Sequence, residues 1–223
     1  MIRFEQNLTN FSLIPGNSFA YWCKNFKVFT FKKLSDYYVS GGRNKTHNND
    51  LFLRNWWEII PSSKWPFYAN GGDFRRWYGN NLDVVDWSDE AKNNYDKHGG
   101  LYNRKFWNKQ GVCWNLITSY KNSFRIKESS FHYSSASPTI ISVTDYVDDY
   151  CVLGFLNTEL TAYLLKMINP TLNTTVSDVL GLPFELGDKK QIISELVKQN
   201  IDITKKDWDC FEASFEFKKH PLV

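Results

Sequence analysis

The sequence predicts an α/β fold of the α+β kind, with a mixed sheet built first and helices gathered at the C-terminal end. Three observations predict it. Runs rich in β-branched and aromatic residues recur between positions 51 and 153. From position 157 the apolar spacing changes to a helical period. The chain, at 223 residues with 42% hydrophobic and 17% aromatic, can bury a real core and is too aromatic to be disordered.

Taken in order, Pro15-Gly16 marks a turn, and Phe19-Ala-Tyr-Trp-Cys23 after it reads as a helix or a strand. Residues 40–50 are a polar loop. Leu51 to Ile60 alternates as a strand does and is broken by Pro61. Gly71-Gly72-Asp73 and Gly79-Asn80-Asn81 return to turn chemistry, and Val84 to Trp87 is a short strand. The stretch from Asp89 to Lys105 is polar and poorly periodic, so it reads as a long excursion. Gly111 to Ser119, Ser130 to Tyr133, Thr139 to Val143 and Tyr150 to Leu153 read as strands. A helix capped by Asn157 then presents Leu156, Leu160, Tyr163, Leu164 and Met167, and Pro170 stops it. Asp188 to Gln191 has the pattern of a capping box before Ile192, Ile193, Leu196 and Val197. Thr204 to Asp207 opens another helix with Trp208 and Phe211. The division that results is a mixed domain over 1–187 and a helical tail over 188–223.

Many chemistries lack their motifs. There is no GxGxxG or GxxxxGK[ST] loop, no HExxH, no CxxC and no GxSxG elbow. Cys23, Cys113, Cys151 and Cys210 are widely scattered, as reduced core thiols are, and His47, His98, His132 and His220 form no cluster. Asn169-Pro170 is followed by Thr171. A methyltransferase that acts on a base's amino group needs Asn/Asp-Pro-Pro-aromatic there, with the aromatic stacked on the flipped base. No catalytic residue and no metal are therefore expected. No apolar run nears the roughly 18–20 residues that cross a bilayer, and Met1 to Asn7 lacks a signal-peptide layout, so the expectation is a cytoplasmic protein with no membrane partner.

Charge points elsewhere. The formal net charge is only +3, but residues 24–128 carry 18 Lys+Arg against 10 Asp+Glu, and residues 129–223 carry 8 against 13. A basic block interleaved with aromatics suits a polyanion. Within it, Arg43, Lys45, Asn48 and Asn49 share one loop. Arg75, Arg76, Trp77, Tyr78, Asn80 and Asn81 share a Gly-bounded turn, and Arg104 and Lys105 precede Phe106-Trp107. Together with Arg54 these are the candidate polyanion-binding residues, and the candidate DNA contacts if the polyanion is DNA. Arg and Lys suit phosphates or guanine edges, Asn suits adenine edges, and exposed rings stack on bases.

Asp50-Leu-Phe-Leu-Arg-Asn-Trp-Trp-Glu58, Lys64-Trp-Pro-Phe-Tyr-Ala-Asn-Gly-Gly-Asp-Phe-Arg-Arg-Trp-Tyr-Gly-Asn-Asn81 and Val85-Asp-Trp87 resemble the specificity region of the PglX family, the adenine-specific DNA methyltransferases of BREX phage defence. The resemblance continues through Gly111-Val-Cys-Trp-Asn-Leu-Ile-Thr-Ser119, Leu153-Gly-Phe-Leu-Asn157, Asn169-Pro-Thr-Leu-Asn173 and Lys205-Lys-Asp-Trp-Asp209 to Phe217-Lys-Lys-His-Pro-Leu222. It implies that residues 1–187 are a target-recognition domain for double-stranded DNA, and that the tail begins a spacer or docking region. In such enzymes a separate half binds S-adenosylmethionine and transfers the methyl group. The resemblance therefore implies no cofactor in this chain, and the methyltransferase half and other BREX subunits as partners. The alternatives are a protein-interaction module or a carbohydrate-binding module.

Overall fold

A computed structural model describes residues 3–119 and 121–222. Two short 3₁₀ turns, Leu8–Leu13 and Phe26–Thr30, lead into it, each capped by an asparagine side chain (Asn7, Asn25). The strands and helices then follow as β1 (Tyr38–Ser40), α1 (Asn49–Phe52), β2 (Leu53–Asn55), β3 (Tyr68–Ala69), β4 (Asp83–Val85), α2 (Asp89–Lys97), β5 (Gly111–Trp114), β6 (Phe124–Lys127), β7 (His132–Tyr133), β8 (Thr139–Ser142), α3 (Asp149–Leu156), α4 (Glu159–Ile168), α5 (Val176–Leu180) and α6 (Lys190–Trp208).

The main sheet is antiparallel in the order β1-β8-β5-β6. Successive side chains on a strand point to opposite faces, so the register sorts them into two sets. Trp114 pairs with Phe124, and Val112 pairs with both Ile126 and Ile140; this face carries the large apolar core with α3 to α6. Cys113 opposes Arg125 and Gly111 opposes Lys127, which puts two cations on the other face, both buried. That second face is covered by an aromatic layer of Tyr102, Tyr133, Trp87 and Trp107 around Ile141. Two-stranded pairs complete the layer, β2-β4 antiparallel and β3-β7 parallel. Gly41 is required where this layer meets the sheet, because a Cβ there would collide with the Tyr133 hydroxyl.

The α/β class is as expected, with helices around several small mixed sheets. Several elements differ from expectation. Only Leu53–Asn55 of the run 51–60 is strand, because Asn48 caps a helical turn before it and Asn55 opens a 3₁₀ turn after it. The segment 19–23 is neither helix nor strand. The supposed excursion contains α2, whose N-cap is Ser88 and whose Ala91 and Tyr95, one turn apart, are its buried face. Residues 150–153 belong to helix α3, capped by Asp148; its apolar residues run all round because it lies inside the core. Asn157 ends α3 instead of opening α4, which Thr158 caps. Leu160 and Tyr163 of α4 face outward. No capping box forms at Asp188, and Thr204 continues α6, donating its hydroxyl to the Asn200 carbonyl. The last helix packs along α3, where Val197 approaches so closely that a Cβ on Gly154 would crowd it.

Among the described residues no single helix is long and apolar enough to cross a membrane; α3 and α4 are together apolar but bend by 73° at their junction. Cys23, Cys113 and Cys151 are buried free thiols.

The aromatic layer holds a neutral imidazole. The His132 ring stacks on Trp87 at 3.7 Å, and its Nδ1 lies 2.5 Å from the Tyr102 hydroxyl. Burial, with Lys127 nearby, pulls its pKa down to about 3. Below the ordinary value of 6.5 the unfolded chain takes up a proton that the folded chain refuses, so stability falls as pH drops through that window. Urea midpoints taken between pH 6.5 and 5, above the carboxylate range, are therefore expected to fall in the native chain and to fall less in His132→Phe. Equal slopes would show that His132 is not the group responsible.

Candidate nucleic-acid interface

The loop between β1 and α1 is held from both sides. Asn44 is buried, its N–H donates to the Tyr133 carbonyl (3.3 Å), and it bridges in parallel to Ser134. One residue on, the Lys45 N–H donates to the Gly100 carbonyl at 2.8 Å. The Tyr68 hydroxyl donates to the Asn44 carbonyl, and burial raises its pKa. Thr46 donates to Asn49 Oδ1 at 2.5 Å, and Asn48 Oδ1 accepts the Leu51 N–H as the cap of α1. Asn44 Oδ1 is buried without a hydrogen-bond partner.

These residues line an open cleft of about 630 Å³, closed on its other wall by Tyr68, Asn70 and residues 134–136. Asn70 donates its amide N–H to Asp83 (3.0 Å), whose pKa burial raises, and among the described residues no donor reaches its own Oδ1. Ser135 also borders a second cavity of about 470 Å³, which Arg43 flanks above Leu116, Pro138 and Val176. The side chains of Arg43 and Lys45 have no ion-pair or hydrogen-bond partner among the described residues. The turn holding Arg104 and Lys105 lies beside this loop: Gly42 sits against Tyr102, and the rings of His47 and His98 are 5.6 Å apart. Arg104 and Lys105 are exposed and rest over Trp107 (5.2 Å) and Phe106 (4.8 Å).

The Gly-bounded turn is used differently. Arg75 pairs with Asp207 at 3.0 Å and lies over the rings of Trp208 and Phe211 on and after α6. Arg76 reaches Glu159 at 3.8 Å and lies over Phe74, with its Nε buried. Trp77 packs on the main core while its backbone bonds Phe124 and Ile126, extending the sheet past β6. Tyr78 is buried under the Lys205 ammonium. Asn80 takes a left-handed conformation and donates to the Asp73 carbonyl, and Asn81 faces a pocket beside Tyr78. Arg54 is spent on the carbonyls of Asp50 and Leu53. The structure thus brings together Arg43, Lys45, Asn48 and Asn49, with Arg104 and Lys105 adjoining. Asn70, Ser134 and Ser135 complete the cleft. Nothing in their local sequence singles them out, since they arrive through the parallel β3-β7 pairing.

Comparison with known proteins shows what the chain is similar to. No family model matches the chain, but 99% of it is similar to adenine-specific methyltransferases. One is the adenine-specific methyltransferase PglX of Lacticaseibacillus casei (strain Zhang), 29% identical over 250 residues; another is the adenine-specific methyltransferase BrxX of Escherichia coli O9:H4 (strain HS), 28% identical over 233 residues. The resemblance read from residues 50–222 therefore holds over the whole chain. The chain spans about a fifth of the length of these curated relatives.

The contrast between the two loops has a stability readout. Arg75→Ala removes a partly exposed ion pair and a cation–ring contact, an expected loss of about 1 kcal/mol, or roughly 2–4 °C in Tm for a domain of this size. Arg43→Ala is expected to shift Tm by less than about 1 °C, because an exposed, unpaired side chain supports no native contact. Equal shifts in thermal melts of the two variants would contradict the assignment of Arg75 to packing.

Proposed function

We propose that this chain is the DNA sequence-recognition part of a BREX-type adenine-specific DNA methyltransferase. It binds duplex DNA through the cleft at 43–50 and the turn at 103–105, and it positions the target adenine for a catalytic part of the enzyme. The observation that carries the reading is a cleft lined by Lys45 and the amides of Asn48, Asn49 and Asn70, with Arg43 at the adjoining cavity, on a chain 99% of which is similar to adenine-specific methyltransferases. Arg43, Lys45, Arg104 and Lys105 take phosphates. Because Asn48 and Asn49 already use their carbonyl oxygens, they offer amide N–H donors to purine N7, guanine O6 or thymine O4. Asn70 does the reverse: its free Oδ1 accepts from the amino groups of adenine or cytosine.

Methyl transfer belongs to the rest of such an enzyme. Among the described residues no parallel strand runs through a glycine-rich turn into a helix, the arrangement that cradles a nucleoside cofactor. No residue of this chain is therefore assigned to S-adenosylmethionine, and no step of the reaction is given to its residues. The partner of the α6 side is the methyltransferase part or another subunit of the system, because α6 leaves Ile192, Leu196 and Ile203 exposed on the side away from α3. That stripe also supports a second reading, in which docking to protein is the chain's main role.

The test is binding of a mixed-sequence duplex as a function of salt. For the paired variant Arg43→Ala and Lys45→Ala, the slope of log K against log salt is expected to shrink by roughly 0.9 per lost phosphate contact, close to two units in all. A native chain whose binding does not depend on salt would favour the protein-docking or carbohydrate-binding reading. An unchanged slope in the variant would remove the cleft from the interface.

A further inference from the structure

We propose that the DNA track continues beyond the cleft, over a short backbone ladder, into a second phosphate-binding cavity formed by Lys121 and Lys166. The ladder joins residues 116–118 to 172–174: the Thr118 N–H donates to the Leu172 carbonyl (3.1 Å), the Thr174 N–H to the Leu116 carbonyl (2.8 Å), and Ile117 pairs with Asn173. Leu116 and Asn173 wall the cavity that Arg43 flanks, which shares Ser135 with the main cleft. Thr118, Leu172 and Thr174 wall a third cavity of about 400 Å³ on the far side. The first two hollows thus share Ser135 and carry Lys45 and Arg43, and the ladder alone separates the second from the third.

The third hollow has the donors that a phosphodiester needs. Lys121 and Lys166 are exposed at its rim. Asn122 also lines it, and its Oδ1 accepts the Thr174 hydroxyl at 2.9 Å; among the described residues its amide N–H groups have no acceptor, which leaves them for a ligand. One carboxylate holds Lys121 at present. Glu159 accepts from Lys121 at 2.8 Å and lies 3.8 Å from Arg76, and the Lys121 hydrogen bond and charge keep its pKa below the ordinary carboxylate value. Glu159 is itself exposed, so the pairing is weak and an arriving phosphate can take its place. It is a built-in competitor that sets how strongly this end of the track binds, without a role in reading bases.

The inference rests on the DNA reading above, and its test separates the two. Duplex binding by the full chain is followed by fluorescence anisotropy between about 50 and 200 mM salt, a range over which phosphate contacts show clearly. The variant Lys121→Ala with Lys166→Ala is expected to lose close to two units of salt slope and about tenfold in affinity at the low end. Glu159→Gln is expected to bind severalfold tighter with a steeper slope, an effect of opposite sign that misfolding cannot produce. If the native chain binds and either variant fails to move in its stated direction, the track ends at the cleft and this inference is overturned while the DNA reading stands. A folded native chain that binds no duplex overturns both.

Discussion

Two cations buried on one face of β6 impose the constraint that the second layer of the molecule answers. Lys127 is almost wholly inaccessible and no carboxylate pairs with it among the described residues. It donates to the Phe131 carbonyl at 2.8 Å and lies over the Tyr133 ring, and burial brings its pKa down to about 8. Arg125, two residues back on the same face, donates to Asn115 Oδ1 and to the Arg75 carbonyl. An unsatisfied buried charge costs several kcal/mol, so these carbonyls must stay where they are. Fixing Phe131 places β7 and hence Ser134; fixing Arg75 places the Gly-bounded turn, whose Trp77 backbone then pairs along β6. The cleft stands on that arrangement, because one of its walls is the continuation of β7.

The same accounting revises what the basic composition means. Residues 24–128 are rich in Lys and Arg, but Arg125 and Lys127 are internal, Arg75 is clamped by Asp207 and Trp208, Arg76 faces Glu159, and Arg54 caps its own helical turn. What remains at the surface near one another are Arg43, Lys45, Arg104 and Lys105. Composition measured the charge correctly and could not say how much of it serves folding. Arginine beside large aromatics, the pattern that made the turn at 70–81 look like a stacking surface, is also what a cation–ring contact within a fold requires.

Legibility in the sequence followed the range of the interactions. Elements specified by neighbours along the chain were readable: the strand at 139–142, the short strand at 83–85, the helix stopped by Pro170. Those specified by burial were not. The helix at 149–156 is rich in residues that favour strands, and only its place in the core, under an Asp148 cap, makes it helical. The helix at 89–97 was hidden by its polarity, although Ser88 with Ala91 and Tyr95 gives its start and its buried face. Of the cleft, one wall was visible because loop 41–50 is a continuous run of polar residues. The opposite wall, Asn70 with Ser134 and Ser135, depends on a parallel pairing between segments more than sixty residues apart, and local pattern carries no trace of that.

The cleft's chemistry is settled before any ligand arrives, and that bears on what it is suited to hold. Its backbone is tied at Asn44 to Ser134 and at Lys45 to Gly100, so little conformational freedom is left to lose on binding. Within it the oxygens of Asn48 and Asn49 are engaged by the chain's own donors, which leaves their amide N–H groups beside Lys45 and the Asp50 carboxylate. The amide donors and Lys45 bias this part of the loop toward a partner that presents acceptors. The phosphates and major-groove purine edges of a duplex are such a partner. Sugar hydroxyls, which donate as readily as they accept, would leave the bias unused. Asn70 adds an acceptor to that of Asp50: its amide N–H is spent on Asp83, and among the described residues no donor reaches its oxygen. An acceptor set beside donors lets a site distinguish an amino group from a carbonyl at one position.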